Sequence, residues 1–100
     1  MTEKQLQKEA NNKLYADNYV WWYPKRTWGE RDVFGIYDFL AIHRKTGKLI
    51  MVQITTLDHV SHRRKKIQDF YLMNAITTRP RNVFIWAWDK RLMKFRIKKV

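Results

Sequence analysis

The stretch that organises this chain is residues 33–55, which read VFGIYDFLAIHRKTGKLIMVQIT. Two apolar runs flank the polar tetrapeptide RKTG in the middle of this stretch. Apolar runs on either side of a short glycine-containing loop are typical of a β-hairpin. With Lys45 and Thr46 at the centre of a two-residue turn, Asp38 is predicted to lie directly opposite Gln53, on the same face of the hairpin.

Outside the hairpin, the sequence predicts two helices and three further strands. The predicted helices cover residues 2–17 and 58–76, and the predicted strands cover 19–23, 33–42, 48–55, 83–88 and 93–98. Leu6, Ala10 and Leu14 recur every four residues, as on the buried stripe of a helix. Residues 83–88 are apolar on both faces, as in a central strand or in one buried in an interface. The order α-β-β-β-α-β-β predicts one α/β domain over residues 1–100, with a mixed central sheet flanked by helices.

Charge and composition narrow the class of protein. The chain has 21 Lys and Arg against 9 Asp and Glu, a formal charge of +12, and 45% of its residues are hydrophobic. That apolar content excludes a disordered basic tail, and the charge predicts a polyanionic partner, most simply a nucleic acid. With no cysteine, thiol chemistry and Cys-zinc sites are excluded. No run is long enough to cross a membrane and the N-terminal residues do not resemble a signal peptide, so we expect a cytoplasmic protein.

Three polar residues interrupt the apolar strands of the predicted hairpin. Asp38 and Gln53 face each other, and Thr55 lies two residues beyond Gln53 on the same face. A polar side chain on a buried face costs stability unless it is paired or used. Carboxylate, amide and hydroxyl oxygens suit Mg²⁺ or Mn²⁺. The alternative is a buried polar pair that only hydrogen-bonds within the sheet.

These residues carry a resemblance to a known family. The segment GIYDFLAI at 35–42, the hairpin, the segment VQIT at 52–55 and a basic helix resemble the core of the PD-(D/E)XK nuclease superfamily. Within that superfamily, this chain is most similar to archaeal Holliday-junction resolvases and small phage-type nucleases. The resemblance spans residues 5–75 as an order of elements, and it implies a restriction-endonuclease-like fold.

The resemblance also implies roles for individual residues. In the family, an Asp opens the second strand, a Glu-x-Lys motif lies on the third, and a Glu often comes from the first helix. The acidic residues hold a divalent metal, and the lysine helps to position or activate the attacking water. Carried over, Asp38 matches the Asp, Gln53 stands in place of the Glu, and Glu9 is the candidate for the helix Glu. The implied metal ligands are Asp38, Gln53 and Glu9, with Mg²⁺ or Mn²⁺ as the cofactor.

The main departure from the family pattern is Thr55, which stands where the lysine would be. A threonine hydroxyl carries no positive charge and is no base at neutral pH. Three possibilities remain open. The metal acts unaided with Thr55 positioning water, or another cation such as Lys65 or Lys66 reaches the site, or the protein does not cleave.

Two basic segments are predicted to contact phosphates. Lys25, Arg26 and Arg31 lie in a polar loop before the Asp38 strand, and Arg63, Arg64, Lys65 and Lys66 lie in the first turns of the second helix. Each segment borders one end of the proposed site, which favours contacts with a nucleic-acid backbone. The alternative for the helix is a solvated basic face. Asp32 could reach the same end of the hairpin, although a turn residue is its simpler interpretation.

Aromatic residues suggest how the chain associates. Trp86 and Trp88 share one face with Phe84, and such a broad aromatic surface favours a homodimer interface. Of Trp21 and Trp22, neighbours in a strand, one must point inward. Trp28, in the polar loop, is a candidate for base stacking.

The function predicted from these features is metal-dependent hydrolysis of DNA, with branched or junction DNA as a candidate substrate. The alternative is a catalytically inactive DNA-binding or regulatory protein on a degenerate nuclease fold. An RNA-binding domain is the third hypothesis. No glycine-rich phosphate loop is present, so we expect no organic cofactor.

Overall fold

The computed structural model describes residues 1–24, 32–78 and 81–100. Its elements are helix α1 (Glu3–Ala16), strands β1 (Tyr19–Trp22), β2 (Phe39–His43) and β3 (Leu49–Thr56), helix α2 (Val60–Met73), and strands β4 (Val83–Asp89) and β5 (Lys94–Lys99). A short 3-10 helix, Leu57–His59, precedes α2 and is absent from the predicted order. The five strands form one mixed sheet, so the mixed α/β class is confirmed.

The sheet follows the chain, with strand order β1-β2-β3-β4-β5. Strands β1, β2 and β3 form an antiparallel meander, α2 connects β3 to the parallel strand β4, and β5 is antiparallel to β4. Phe39 pairs with Val52 and Leu40 with Met51, which is the register predicted for the hairpin. Asp38 therefore stands just ahead of β2, beside Gln53.

Each helix covers one face of the sheet. The predicted stripe of α1, Leu6, Ala10 and Leu14, is buried against one face, in a cluster that contains Val52 and Ile54. On the other face, Ile67 of α2 is buried in a cluster with Tyr37, Val83 and Ile85. Because neighbouring residues of a strand point to opposite faces, Val52 and Ile54 lie under α1, whereas Gln53 points towards the α2 side.

Strand β2 begins six residues later than the sequence predicts. Phe34 and Gly35 adopt left-handed backbone conformations, with φ of 54° and 71°. Those angles are incompatible with an extended strand, and the segment instead forms a turn in which the Val33 amide donates to the Tyr37 carbonyl oxygen at 2.7 Å. Tyr37 is buried. The turn is therefore packed into the core and delivers Asp38 to the edge of the sheet.

The prediction that Trp86 and Trp88 form an external aromatic surface is wrong. They are only 4% and 7% exposed, and both rings contact Phe95, with centroid separations of 5.7 and 5.1 Å. The aromatic face is filled from within the chain because β5 and α1 cover it. The homodimer remains a prediction without that support.

The other tryptophan predictions have mixed outcomes. Trp21 packs against the α1-side core and Trp22 is 54% exposed, as expected for neighbours in a strand. Trp28 lies outside the described residues. No helix in the described part of the chain has the length and apolar character that crossing a bilayer requires.

Ile67 anchors α2, since it is the buried residue of that helix. Replacing it with alanine leaves a cavity in a core that cannot fully collapse, so we expect Ile67→Ala to lower the free energy of unfolding by about 2–5 kcal/mol. Urea unfolding followed by tryptophan fluorescence measures the loss. Leu72→Ala, on the same helix at a residue that is 79% exposed, should change stability by less than about 0.5 kcal/mol. Equal effects at the two positions would contradict the packing of α2 against the sheet.

Candidate functional site

The Asp38 carboxylate is held by its neighbours on β3. Its Oδ2 atom accepts hydrogen bonds from the Ile54 amide at 2.6 Å and from the Gln53 side-chain amide at 2.9 Å. The Asp38 amide in turn donates to the Val52 carbonyl oxygen at 2.8 Å. Asp38 and Gln53 therefore meet as the hairpin register predicts.

A cleft of about 560 Å³ opens beside Asp38. Its walls come from the first turns of α1, the end of β1 and the segment before β2, and they comprise Thr2, Glu3, Lys4, Gln7, Tyr23, Pro24, Asp32, Asp38 and Ile54. The start of α1 is fixed there by a capping box, in which Thr2 and Gln5 exchange backbone and side-chain hydrogen bonds. The cleft therefore has a well-defined wall on the α1 side.

Burial dominates the electrostatics of Asp38. Removal from water raises the pKa of its carboxyl to about 7, and the negative charges of Asp32 and Glu3 act in the same direction. The Ile54 hydrogen bond and the positive charge of Arg63 oppose that rise in the pKa. Near neutral pH the carboxyl is thus poised between its two protonation states, and a bound cation would favour the charged one.

Three buried polar atoms next to Asp38 have no hydrogen-bond partner of standard geometry among the described residues: the Tyr23 hydroxyl, Gln53 Oε1 and Arg63 Nε. The Gln53 side chain is hydrogen-bonded to Asp38, and Arg63 is near enough for its positive charge to lower the pKa of Asp38. The pKa of Tyr23 is raised, first by burial and then by the charge of Asp38, while a hydrogen bond with the Gln7 side chain, looser than the standard geometry, opposes the rise. Buried polar groups are nearly always paired, so Gln53 Oε1 and Arg63 Nε are groups that water or a ligand would satisfy.

The basic residues of α2 divide between the cleft and the solvent. Lys66 approaches Asp32 at 3.9 Å, whereas Lys65 pairs with Asp69 at 2.8 Å along the exposed side of the helix. Arg63 lies one turn before the buried Ile67 and so shares its inward face. Of the two lysines proposed to reach the site, only Lys66 points towards an acidic residue of the cleft. Arg63 is a further cation on this side, because its charge acts on Asp38. Arg64 is half-buried.

Thr55 and Gln53 share a face of β3 but differ in surroundings. Both are buried, with 4% and 3% of their surface exposed. Gln53 contacts Asp38, whereas the cleft wall on β3 is formed by Ile54. Thr55, which was predicted to position water, is buried and does not line the cleft. Gln53 does not line it either, but its side chain reaches Asp38 through a hydrogen bond.

The α1 acid that reaches the cleft is Glu3, and the structure does not bring Glu9 to it. Glu3 and Gln7 are one helical turn apart and both line the cleft. Glu9 is six residues beyond Glu3, about 9 Å further along the helix and on a different side of it. The cleft lining therefore includes Glu3 and not Glu9, the residue predicted from the resemblance.

The other predicted phosphate contacts lie outside the described residues: Lys25, Arg26 and Arg31. Asp32, for which a turn residue was the simpler interpretation, lines the cleft and faces Lys66. The sequence offered no separate signal for Tyr23, which was interpreted only as the end of a strand. For Glu3, the signal available was its four-residue spacing from Gln7.

The cleft has too few ligands to enclose a divalent cation with protein groups alone. It is better suited to a cation that is also bound by a substrate. Within residues 1–24, 32–78 and 81–100, no three acidic or histidine side chains are grouped closely enough to hold a metal ion. Asp38 provides an oxygen donor in the cleft, and the Gln53 side chain behind it, bonded to Asp38 through its amide nitrogen, carries an unpaired Oε1. Mg²⁺ commonly uses one or two carboxylates and completes its shell with water and substrate phosphate.

Comparison with protein-family models, with curated proteins and with solved structures yields no match. Function is therefore inferred from the chemistry of the cleft and from the charge around it.

The raised pKa of Asp38 predicts how stability depends on pH in the absence of metal. The carboxyl ionises near pH 3.8 in the unfolded chain but near 7 in the folded one, so the folded state binds the proton more tightly. Its contribution to stability is complete below about pH 4 and is lost as the pH rises through 7, by up to about 4 kcal/mol. We expect Asp38→Asn to remove this dependence. Urea unfolding in chelator at pH 4, 5.5 and 7.5 should show wild type losing stability relative to the variant; parallel curves would contradict the shift in the pKa.

Proposed function

We propose that this chain is a divalent-metal-dependent DNA endonuclease built on a PD-(D/E)XK-like core. The observation that carries the proposal is the cleft at Asp38, a largely buried carboxylate that is hydrogen-bonded to Gln53, whose Oε1 is unpaired, and that feels the positive charge of Arg63. Those groups combine oxygen donors for a hard cation with a positive charge for a phosphate.

The arrangement of elements supports the restriction-endonuclease-like assignment. A helix is followed by an antiparallel meander, and a second helix leads to a strand parallel to the third. Asp38 directly precedes the second strand and hydrogen-bonds to Gln53 on the third, the two positions at which the resemblance implies metal ligands. An amide in place of the family's Glu keeps the ligating oxygen but removes one negative charge.

Charge supports a phosphate substrate and explains why a metal is needed. The chain carries a net charge of +12, which attracts a polyanion. The cleft lining holds three acidic residues, Glu3, Asp32 and Asp38, against one lysine, Lys4, so its charge opposes a phosphate. A divalent cation between the carboxylates and the phosphate removes that repulsion, so the requirement for metal follows from the acidic lining.

The residues of the cleft can then be given roles in hydrolysis. Asp38 and Gln53 Oε1 would hold the cation, which supplies charge neutralisation at the phosphate and lowers the pKa of water. Arg63 stabilises the negative charge that develops on the phosphoryl oxygens, in place of the lysine that Thr55 replaces. The Tyr23 hydroxyl, which is protonated at neutral pH as in any tyrosine, donates a hydrogen bond to the phosphate. The water oxygen bonds to phosphorus as the bond to one sugar oxygen breaks, with one proton passing to that oxygen and the other to solvent.

The burial of Thr55 favours a second candidate function, a DNA-binding protein on this fold without catalysis. In that protein the cation-filled cleft would retain a phosphate and not cleave it. Binding in both cases should weaken steeply with salt, because contacts with phosphates release counterions.

The experiment that tests the proposal uses labelled linear, single-stranded and four-way-junction DNA, incubated with the protein and Mg²⁺, Mn²⁺ or chelator. We expect products with either metal and none with chelator. An RNA duplex of the same sequence serves as competitor and reports the third hypothesis. Tight, salt-sensitive binding of DNA without products under any metal would overturn the endonuclease and favour the binding protein.

A further inference from the structure

The turn between β4 and β5 is anchored by a buried carboxylate. Asp89 is 3% exposed, and its Oδ1 accepts hydrogen bonds from the amides of Arg91 and Leu92 at 2.9 and 3.3 Å. Its Oδ2 accepts from Arg96 Nε on the neighbouring strand, at 2.9 Å. Since the same carboxylate binds both the turn and β5, the tip of this hairpin is held in one conformation.

The anchored turn presents apolar side chains to water. Leu92 and Met93 are 51% and 71% exposed, and Met93 adopts a left-handed backbone with φ of 52°. That backbone conformation is uncommon for residues other than glycine, asparagine and aspartate. Exposed cations flank the pair on both sides, at Lys90, Arg91 and Lys94. The tip of the β4–β5 hairpin thus exposes two apolar side chains on an anchored turn, with basic residues on both sides of them.

The tip lies at the same end of the molecule as the Asp38 cleft. A second cavity beside the turn is lined by Met1, Thr56, Lys90 and Arg91 among others, and Met1 adjoins the Thr2–Glu3 wall of the cleft. Gln53 pairs with Ile85, four residues before Asp89, and β4 is two strands from β2. Strand rise and spacing then separate the tip from Asp38 by roughly 15–20 Å, the length of about five base pairs.

We propose that this hairpin tip is a wedge that inserts Leu92 and Met93 between base pairs of the duplex whose phosphate occupies the Asp38 cleft. The proposal rests on the proposed function in so far as the partner is DNA. Aliphatic side chains gain nothing in water but can occupy the space between partly unstacked bases. Lys90, Arg91 and Lys94 would neutralise the phosphates on either side. The wedge would favour sites where stacking is weak, such as pyrimidine–purine steps or branch points.

Fluorescence of 2-aminopurine tests the wedge, because this base brightens when it is unstacked. Duplexes with the probe at successive positions are titrated with full-length protein and Ca²⁺, a hard cation that can bridge the cleft carboxylates and a phosphate. Each duplex is checked by gel for intact length, so the readout does not depend on cleavage. We expect wild type to brighten the probe at one or two adjacent positions. Leu92→Ser/Met93→Ser should abolish the signal and weaken binding by about tenfold. The melting temperature of each variant confirms that it is folded.

The chain offers a matched control in Leu72 and Met73, an identical pair that is 79% and 84% exposed at the far end of α2. Leu72→Ser/Met73→Ser should leave the fluorescence signal intact. Equal signals from wild type and Leu92→Ser/Met93→Ser, or equal loss in both double variants, would overturn the wedge. Binding and brightening without cleavage at any metal concentration would support the wedge while overturning the endonuclease. Failure of wild type to bind DNA would overturn both.

Discussion

Replacing Asp38 with asparagine is expected to abolish metal-dependent cleavage of DNA while leaving the protein at least as stable as wild type. The carboxylate is the principal ligand proposed for the cation, and its loss should lower the cleavage rate by at least about 10³-fold. The same change removes a charge that burial destabilises, since the pKa of Asp38 is raised to about 7. The asparagine oxygen can still accept the hydrogen bond from the Ile54 amide. Single-turnover cleavage and urea unfolding at pH 7.5 measure the two effects.

Opposite changes in activity and stability cannot come from partial unfolding. Asp58→Asn is the matched control, because Asp58 lies at the same end of the sheet, is exposed, and hydrogen-bonds the Thr56 hydroxyl. That variant should cleave at a rate within about threefold of wild type, as expected for a surface change of about 0.5 kcal/mol. An Asp38→Asn protein that cleaves at the wild-type rate would remove Asp38 from the active site.

Replacing Arg63 with methionine should lower cleavage by about 10²–10³-fold, which is the usual cost of losing a preorganised group that stabilises charge in the transition state. Arg63 also lowers the pKa of Asp38, so its loss should raise that pKa further. The acidic limb of the pH–rate profile should therefore move to higher pH in Arg63→Met. A residue with a merely structural role would not move that limb. Arg63→Lys should recover part of the rate, because it restores the charge but not the planar guanidinium.

Lys65→Met provides the comparison for Arg63, since Lys65 belongs to the same basic run but pairs with Asp69 on the exposed side of α2. It should weaken DNA binding slightly and leave the pH–rate profile in place. Identical profiles for Arg63→Met and Lys65→Met would show that Arg63 acts only as one more surface cation. In that case nothing would replace the positive charge of the family's catalytic lysine, whose position Thr55 occupies in this chain.

Features that depend on neighbours along the chain or across one turn could be predicted from the amino-acid sequence. The four-residue spacing of Leu6, Ala10 and Leu14 defined the buried stripe of α1, because a helix returns to the same face about every four residues. A short turn and period-two alternation set the register that joins Asp38 to Gln53, because a slip of one residue would turn every side chain of the strand over. The unbroken apolar run of residues 83–88 was consistent with a central strand or with one in an interface, and the sheet order shows that β4 is central.

Which distant side chains meet those residues depends on the packing of the whole fold. The angle at which α1 docks brings Glu3 to the cleft and carries Glu9 away, and the rotation of α2 turns Arg63 inward and Lys65 outward. The burial of Trp86 is likewise a packing outcome, because Phe95 and α1 supply contacts that local periodicity does not encode. Hydrophobic pattern specifies which face of an element is buried. The position of a helix on a sheet is set by how all the side chains between them fit together, and no local pattern contains that information.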